Sequence, residues 1–335
     1  MVINPVVLFF RELVTDIYDV TSTLFKVMIP TTLLVKALDE LGGTVYLSYL
    51  LAPIMEWVGL PESMGLVWAT TLLTNIYTGM LVFFLEAQQH TFTVADITVL
   101  GSMLLIAHSL PVEARVAQLA GIRLGFTLVL RIAGALLFGW LLHQLFSYGG
   151  WLQQPNQLPW QPTQTNQSLG AWLISFSQSL GMVIVIISAL ITLLKVFKLL
   201  HIEQLLIWLL SPLLRWLGIN VKATSIIIVG TLLGLSYGGG LLIKEANTGE
   251  LTKQDMLVTM AFLGLFHSVI EDTLLILLLG AHLSGVLWLR LAFAIMVTLL
   301  ITYWLRRSRN QEIQRLLFTS SANDQATSVT VHAGN

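Results

Sequence analysis

The stretch AHSLPVE at residues 107–113 decides the architecture, because a second version of it, FHSVIED, occupies residues 266–272. His267 follows His108 by 159 residues, and Ser268 follows Ser109 at the same interval. Agreement at one fixed interval in Pro, Trp, His, Asp and Arg indicates an internal duplication. The further residues that coincide at this shift are Pro53 with Pro212, Trp57 with Trp216, Gly59 with Gly218, Glu86 with Glu245, Thr93 with Thr252, Asp96 with Asp255, Gly121 with Gly280, and Leu130–Arg131 with Leu289–Arg290.

The composition around this repeat is that of a membrane protein. Of the 335 residues, 56% are hydrophobic and 10% are charged, with a mean hydropathy of +0.81. Soluble domains are usually about 45–50% apolar and about 25% charged. A helix needs about 20 apolar residues to cross a bilayer. Segments near that length lie at 21–38, 63–85, 122–146, 171–194, 222–243 and 284–305.

Shorter apolar pieces at 44–58, 94–120, 202–217 and 253–281 are typical of interfacial or re-entrant helices. We therefore predict an all-α polytopic membrane protein with two inverted-topology repeats and re-entrant or broken helices. The predicted parts are an amphipathic N-terminal helix at 1–20, repeats at 21–147 and 171–306, a polar linker at 148–170 and a disordered tail at 307–335. An N-terminal extension of the first spanning helix is the alternative for residues 1–20.

Lys and Arg positions predict the orientation of the helices, because these residues concentrate on the cytoplasmic side. Arg306 and Arg307 assign the end of the last helix to the cytoplasm, and Arg123 does so for the start of helix 122–146. Helix 122–146 and its partner 284–305 then run in opposite directions. We expect a multi-pass protein of the bacterial inner membrane with both termini cytoplasmic, the linker 148–170 outside, and three crossings plus a re-entrant element per repeat.

The duplicated motif carries the first group of candidate site residues. A charged group at the middle of a membrane costs roughly 2.5–3.5 kcal/mol, so such groups face a bundle interior or a wet cavity. Pro111 predicts a helix break in the first motif, whereas Ile270 makes the second break less evident. A structural hydrogen-bond network at a helix break is the alternative to a binding site. The candidates for substrate or ion binding are His108, Ser109, Glu113, His267, Ser268, Glu271 and Asp272.

Two arginines lie inside apolar segments and need partners. Glu113 precedes Arg131 by 18 residues, and Asp272 precedes Arg290 by the same interval. A buried unpaired charge is prohibitive, so we predict that each arginine forms a structural ion pair with its preceding carboxylate.

Small residues predict close packing in another segment of each repeat. Gly230, Gly234 and Gly238 recur every fourth residue, and threonines echo them in the first repeat. Such spacing lets helix backbones approach closely, while SYGGG at 236–240 could also unwind a helix. In the second case the opening would be lined by Asn75, Tyr77, Ser236 and Tyr237.

The doubled AHSLPVE and FHSVIED elements, together with SYGGGLLIKEA at 236–246, resemble the nucleoside-recognition or Gate domain. Concentrative nucleoside transporters, the membrane part of ferrous-iron transporter B and spore maturation proteins A and B share that domain. The likeness covers about 25–145 and 185–305. It implies an inverted-repeat transport core whose re-entrant hairpins meet at the midplane, with sites near His108–Glu113 and His267–Asp272. The chain has neither a GTPase domain nor a complete nucleoside-binding motif.

These observations favour a secondary transporter of a small polar solute, with a nucleoside-like solute as one option, coupled to a proton or cation. The alternatives are a divalent-metal permease and a non-transporting partner in envelope assembly. We expect no enzyme and no cofactor, because no HExxH or GxxxxGK[ST] motif occurs and cysteine is absent. The expected partners are the lipid bilayer and a small-molecule or ion substrate. A net charge of −1 argues against nucleic acid, and a homo-oligomer is compatible with the sequence.

Overall fold

The computed structural model describes residues 5–86, 91–158, 168–200, 208, 212, 221–248, 251–307 and 317–318. Within these ranges every regular element is helical, and β-pairing is limited to two isolated bridges. The predicted all-α membrane fold is confirmed.

The helices of the first half follow one another with short connections. They are α1 (Pro5–Glu40), α2 (Gly43–Trp57), α3 (Met64–Leu73), α4 (Ile76–Glu86), α5 (Val94–Ile106), α6 (Leu110–Leu119) and α7 (Leu124–Gly149). The second half contains α8 (Leu169–Leu199), α9 (Val221–Leu233), α10 (Leu235–Thr248), α11 (Lys253–Leu265), α12 (Glu271–Leu278), a π-helical turn (Ser284–Leu289) and α13 (Arg290–Arg307). At the 159-residue shift α3–α7 correspond in order to α9–α13, and α1 corresponds to α8. The counterpart of α2 falls at 202–216, almost wholly outside the described residues.

Five of the described helical segments are long and apolar enough to cross a membrane, judged by length and composition. They are Val7–Glu40, Val94–Leu119, Leu124–Gly149, Leu169–Phe197 and Ser284–Arg307. The first segment continues without a break across residue 20. Many outward side chains of α1, α8 and α13 are large and apolar, which suits contact with lipid.

Two of the segments that approached spanning length in the sequence are instead hairpins of short helices. The chain breaks at Thr74–Asn75 between α3 and α4, and at Gly234, whose φ is 92°, between α9 and α10. In the first hairpin Thr71 lies against Gly79, and in the second Gly230 lies against Gly238. Residues eight apart cannot touch in a straight helix. The arms of each hairpin therefore fold back on each other, and 64–86 and 221–248 are not continuous spanning helices.

The helices that carry the duplicated motif begin in the same way in both halves. Thr93 accepts a hydrogen bond from the Asp96 amide, and the Asp96 carboxylate accepts one from the Thr93 amide. Thr252 and Asp255 form the same capping box. This pairing satisfies amides that the first turn of a helix leaves free. The helices that follow, α5 and α11, are almost entirely apolar and buried, so they deliver the motif into the interior.

Segments after each repeat close two equivalent turns. In the linker, Asn156 donates a hydrogen bond to the carbonyl of Leu279, next to Gly280. After the second repeat, the carbonyl of Leu317 accepts a hydrogen bond from the amide of Arg123 at 2.8 Å. The predicted disordered tail (307–335) thus includes three described residues: Arg307, which ends α13, and Leu317 and Phe318, which the buried side chain of Leu317 anchors. The rest of that tail and linker residues 159–167 lie outside the described part.

Candidate functional site

Both duplicated motifs interrupt their helices in the same way. Ser109 and Ser268 have φ values of 50° and 47°, a left-handed conformation that non-glycine residues rarely adopt. The amide of Ser109 donates to the Thr71 carbonyl at 3.1 Å, and the amide of Ser268 donates to the Gly230 carbonyl at 3.3 Å. Each break is therefore held by the hairpin of its own half. The second break forms without a proline, because these contacts hold it.

The two breaks bring His108 and His267 together. Their Nε2 atoms lie 3.2 Å apart, and both side chains are buried. On the opposite side of each ring, Nδ1 contacts a backbone carbonyl four residues earlier, that of Leu104 at 2.9 Å and that of Leu263 at 2.7 Å. A helix leaves its last carbonyls without partners. Each histidine satisfies one of them, so the ends of α5 and α11 orient both rings.

Two carboxylates complete the cluster, and they occupy equivalent positions in the two repeats. Glu113 Oε1 lies 3.4 Å from His267 Nε2 and 3.5 Å from His108 Nε2. Asp272 Oδ2 lies 3.4 Å from His108 Nε2 and has no hydrogen-bond partner. Each acid therefore contacts the histidine of the other repeat, so both repeats contribute side chains to the cluster. We call these four side chains (His108, Glu113, His267 and Asp272) the central cluster.

The two arginines are fully buried but differ in their partners. Arg131 pairs with Glu113 Oε2, as predicted, and its Nε donates to the Ile106 carbonyl at 2.8 Å. The predicted pair of Arg290 with Asp272 is wrong: within the described structure Arg290 donates to backbone carbonyls. Asp272 is one methylene shorter than Glu113, so it reaches His108 but not its own arginine. The carbonyls that accept from Arg290 belong to Leu265, Leu105 and His267.

The remaining predicted residues divide into three groups. Tyr77 donates a hydrogen bond to Glu271 Oε1 at 2.9 Å, so it joins the first hairpin to the second motif. Asn75 accepts from the amide of Thr78 at 2.9 Å, which makes it a cap of α4 and not a free lining group. The side chains of Ser236 and Tyr237 lie outside what the structure describes, although their backbone is helical in α10, so SYGGG is not unwound.

Sequence reasoning missed the part that the main chain plays in the site. The carbonyls of Leu104, Leu105 and Ile106 receive bonds from His108, Arg290 and Arg131, in that order. Apolar residue types give no signal that their carbonyls will be used. Ser109 also donates from its hydroxyl to the Thr74 carbonyl at the tip of the first hairpin, at 2.7 Å.

The central cluster suits a cation. Nδ1 of each histidine faces a carbonyl and must donate, so in the neutral ring Nε2 is an acceptor. Potential ligand atoms of His108, Glu113 and His267 all lie within 4.8 Å of one another, and all three residues are buried. The C-terminal ends of α5 and α11 add partial negative charge. This arrangement can bind a proton or a metal ion.

Comparison with known proteins places the chain beside another membrane protein. It is 27% identical over 291 residues to the "Uncharacterized membrane protein YvoD" of Bacillus subtilis (strain 168), covering 85% of this chain and 91% of that protein. No model of a known protein family matches the chain. No solved structure matches it either.

Proposed function

We propose that the protein is a secondary transporter in which two inverted repeats alternate access to a cation-binding site between them. The observation that carries the proposal is the 3.2 Å approach of His108 and His267, one from each repeat. Charged and polar side chains are costly in a membrane interior, so a cluster of them at a repeat interface marks a pathway for solute or ion.

Discontinuous helices support the same proposal. Each repeat contributes a hairpin and a broken helix whose ends meet beside the central cluster. Many transporters build their midplane sites from such helix ends, because the exposed backbone groups bind substrate or ion there. The Gate-domain resemblance agrees with this arrangement and suggests a small polar solute, for example a nucleoside, coupled to a proton or cation. The protein would lie in a bacterial inner membrane with both termini cytoplasmic.

A divalent-metal permease is the second candidate. The observation that favours it is the convergence of His108, His267 and Glu113, whose potential ligand atoms all lie within 4.8 Å of one another. In this case the cation at the central cluster is itself the transported solute.

A purely structural role as an envelope-assembly partner is less well supported. Such a protein would be expected to satisfy its buried polar groups fully. Asp272 Oδ2, Arg131 Nη2 and Arg290 Nη1 are buried without hydrogen-bond partners. Buried polar groups without partners are expected at a site that binds a ligand.

Inverted topology can be tested by labelling single cysteines, because the chain has none of its own. We expect Gln153→Cys in the linker to react with a membrane-impermeant maleimide from the periplasmic side. Ser320→Cys in the tail should react only after the membrane is opened. Reaction of both positions from the same side would refute the inverted arrangement.

Transport itself requires uptake into proteoliposomes under an imposed pH, Na⁺ or metal gradient. The panel should include nucleosides, organic acids and divalent metals. We expect gradient-dependent uptake of one class, lost in His267→Ala and retained in the matched control His282→Ala, since His282 is exposed. Equal uptake by protein-free liposomes across the panel would contradict the proposal.

A further inference from the structure

Three acceptor atoms in the central cluster face one another with no donor between them. The carbonyls of Leu104 and Leu263 can only accept, so the proton of each neutral imidazole is on Nδ1. The two Nε2 lone pairs then point at each other across 3.2 Å, and Glu113 Oε1 completes the triangle. Lone pairs at this distance repel one another unless a cation lies between them.

The triangle has the dimensions of a tetrahedral metal site. Its edges are 3.2 Å between the two histidines, 3.4 Å from His267 to Glu113 and 3.5 Å from His108 to Glu113. Ligands about 2.0–2.1 Å from a tetrahedral Zn²⁺ lie about 3.3 Å apart, whereas adjacent ligands of an octahedral ion at the same distance lie about 2.9 Å apart. The observed edges fit the tetrahedral arrangement.

The groups around the triangle are those that support metal ligands. A histidine that binds a metal usually donates its other ring nitrogen to a carbonyl or carboxylate, as both histidines do here. Arg131 holds Oε2 of Glu113 and so leaves Oε1 directed at the histidines. Asp272 Oδ2 lies 3.4 Å from His108 Nε2 but outside the three residues whose ligand atoms all lie within 4.8 Å of one another, so the described residues supply three ligands.

The ligand types indicate which cation suits the site. Imidazole and carboxylate ligands without thiolate suit a first-row divalent ion such as Zn²⁺ or Fe²⁺ more than Cu⁺.

We propose that His108 Nε2, His267 Nε2 and Glu113 Oε1 form a site for a divalent transition metal of the Zn²⁺ class, with the fourth position of the tetrahedron open. The site deepens the transport proposal, since it names the chemical class of the cation at the repeat interface. Because its ligands come from both repeats, movement of one repeat against the other changes the ligand geometry and weakens the binding of the ion.

The test uses the full-length protein in detergent, stripped with a chelator, dialysed and then titrated with Co²⁺, which reports tetrahedral geometry through its visible absorption. We expect wild-type protein to bind about one Co²⁺ per chain with an intense tetrahedral spectrum, displaced by Zn²⁺ and not by Mg²⁺. His108→Ala and Glu113→Gln should lose the spectrum, while His282→Ala should keep it. Absence of bound Co²⁺ in folded wild-type protein, or an unchanged spectrum in folded His108→Ala, would overturn the site.

The outcome separates the two proposals. Gradient-driven uptake by a wild-type protein that binds no Co²⁺ would overturn the metal site and leave the transporter intact. Stoichiometric Co²⁺ binding without uptake of any solute or metal would support the site and contradict transport. Co²⁺ binding is judged from the wild-type spectrum. A variant that fails to fold therefore neither supports nor contradicts the metal site.

Discussion

Neutralising the two equivalent acids should have unequal effects on stability. Glu113 forms an ion pair with fully buried Arg131, so Glu113→Gln leaves a guanidinium without its counter-charge in the protein interior. Removing one partner of a buried pair costs about 3–5 kcal/mol. Asp272 makes no ion pair with Arg290 and leaves Oδ2 without a hydrogen bond, so Asp272→Asn should change the free energy of unfolding by less than about 1 kcal/mol.

The expected difference, at least about 2 kcal/mol, can be measured by SDS-induced unfolding in mixed micelles after chelator treatment, followed by tryptophan fluorescence. The double variant Glu113→Gln/Arg131→Met should be more stable than Glu113→Gln alone, because it also removes the unpaired charge. Equal destabilisation by Glu113→Gln and Asp272→Asn would contradict the difference between Glu113, which pairs with an arginine, and Asp272, which does not. A double variant no more stable than Glu113→Gln would show that an unpaired Arg131 is not the source of the cost.

Three further experiments test the hairpins, the contact between repeats and the helix starts. In the second hairpin, Gly238→Ala places a methyl group 2.6 Å from the Cα of the facing glycine and should destabilise by about 1–3 kcal/mol, whereas Gly240→Ala, with nothing within 4 Å, should be neutral or stabilising in thermal unfolding. Tyr77→Phe removes the hydrogen bond to Glu271 and should cost about 1.5–3 kcal/mol in SDS unfolding; no change would mean that this contact does not join the repeats. Thr93→Ala removes a capping box and should cost about 1 kcal/mol, with hydrogen exchange accelerated at the first turn of α5; unaltered exchange would contradict the cap.

Much of the architecture follows from the repeated residues themselves. His, Ser and Arg at one fixed interval predicted that two equivalent motifs exist, and the structure gives them matching backbone and side-chain bonds. The 18-residue interval from Glu113 to Arg131 also predicted their contact. The same interval did not produce a contact between Asp272 and Arg290, because the Asp272 side chain is one methylene shorter than that of Glu113.

The error over which segments span the membrane has a different origin. Hydropathy measures how well a segment tolerates lipid, and hairpins buried among helices are as apolar as spanning helices. The fold-back at Thr74–Asn75 depends on Thr71 meeting Gly79 across eight residues, and that contact is tertiary. The meeting of His108 with Asp272 is likewise a contact between repeats, which spacing along one helix cannot reveal.

The division of ligands between the repeats has an evolutionary consequence. A single repeat would present one imidazole and one acid, too few to hold an ion, so an ancestral half-length chain could work only as a pair of copies. In a fused chain the two positions can differ, as Glu113 and Asp272 do. The gene can be divided between the codons for residues 158 and 168. Co-expression of the two fragments should then give the Co²⁺ binding that neither fragment shows alone.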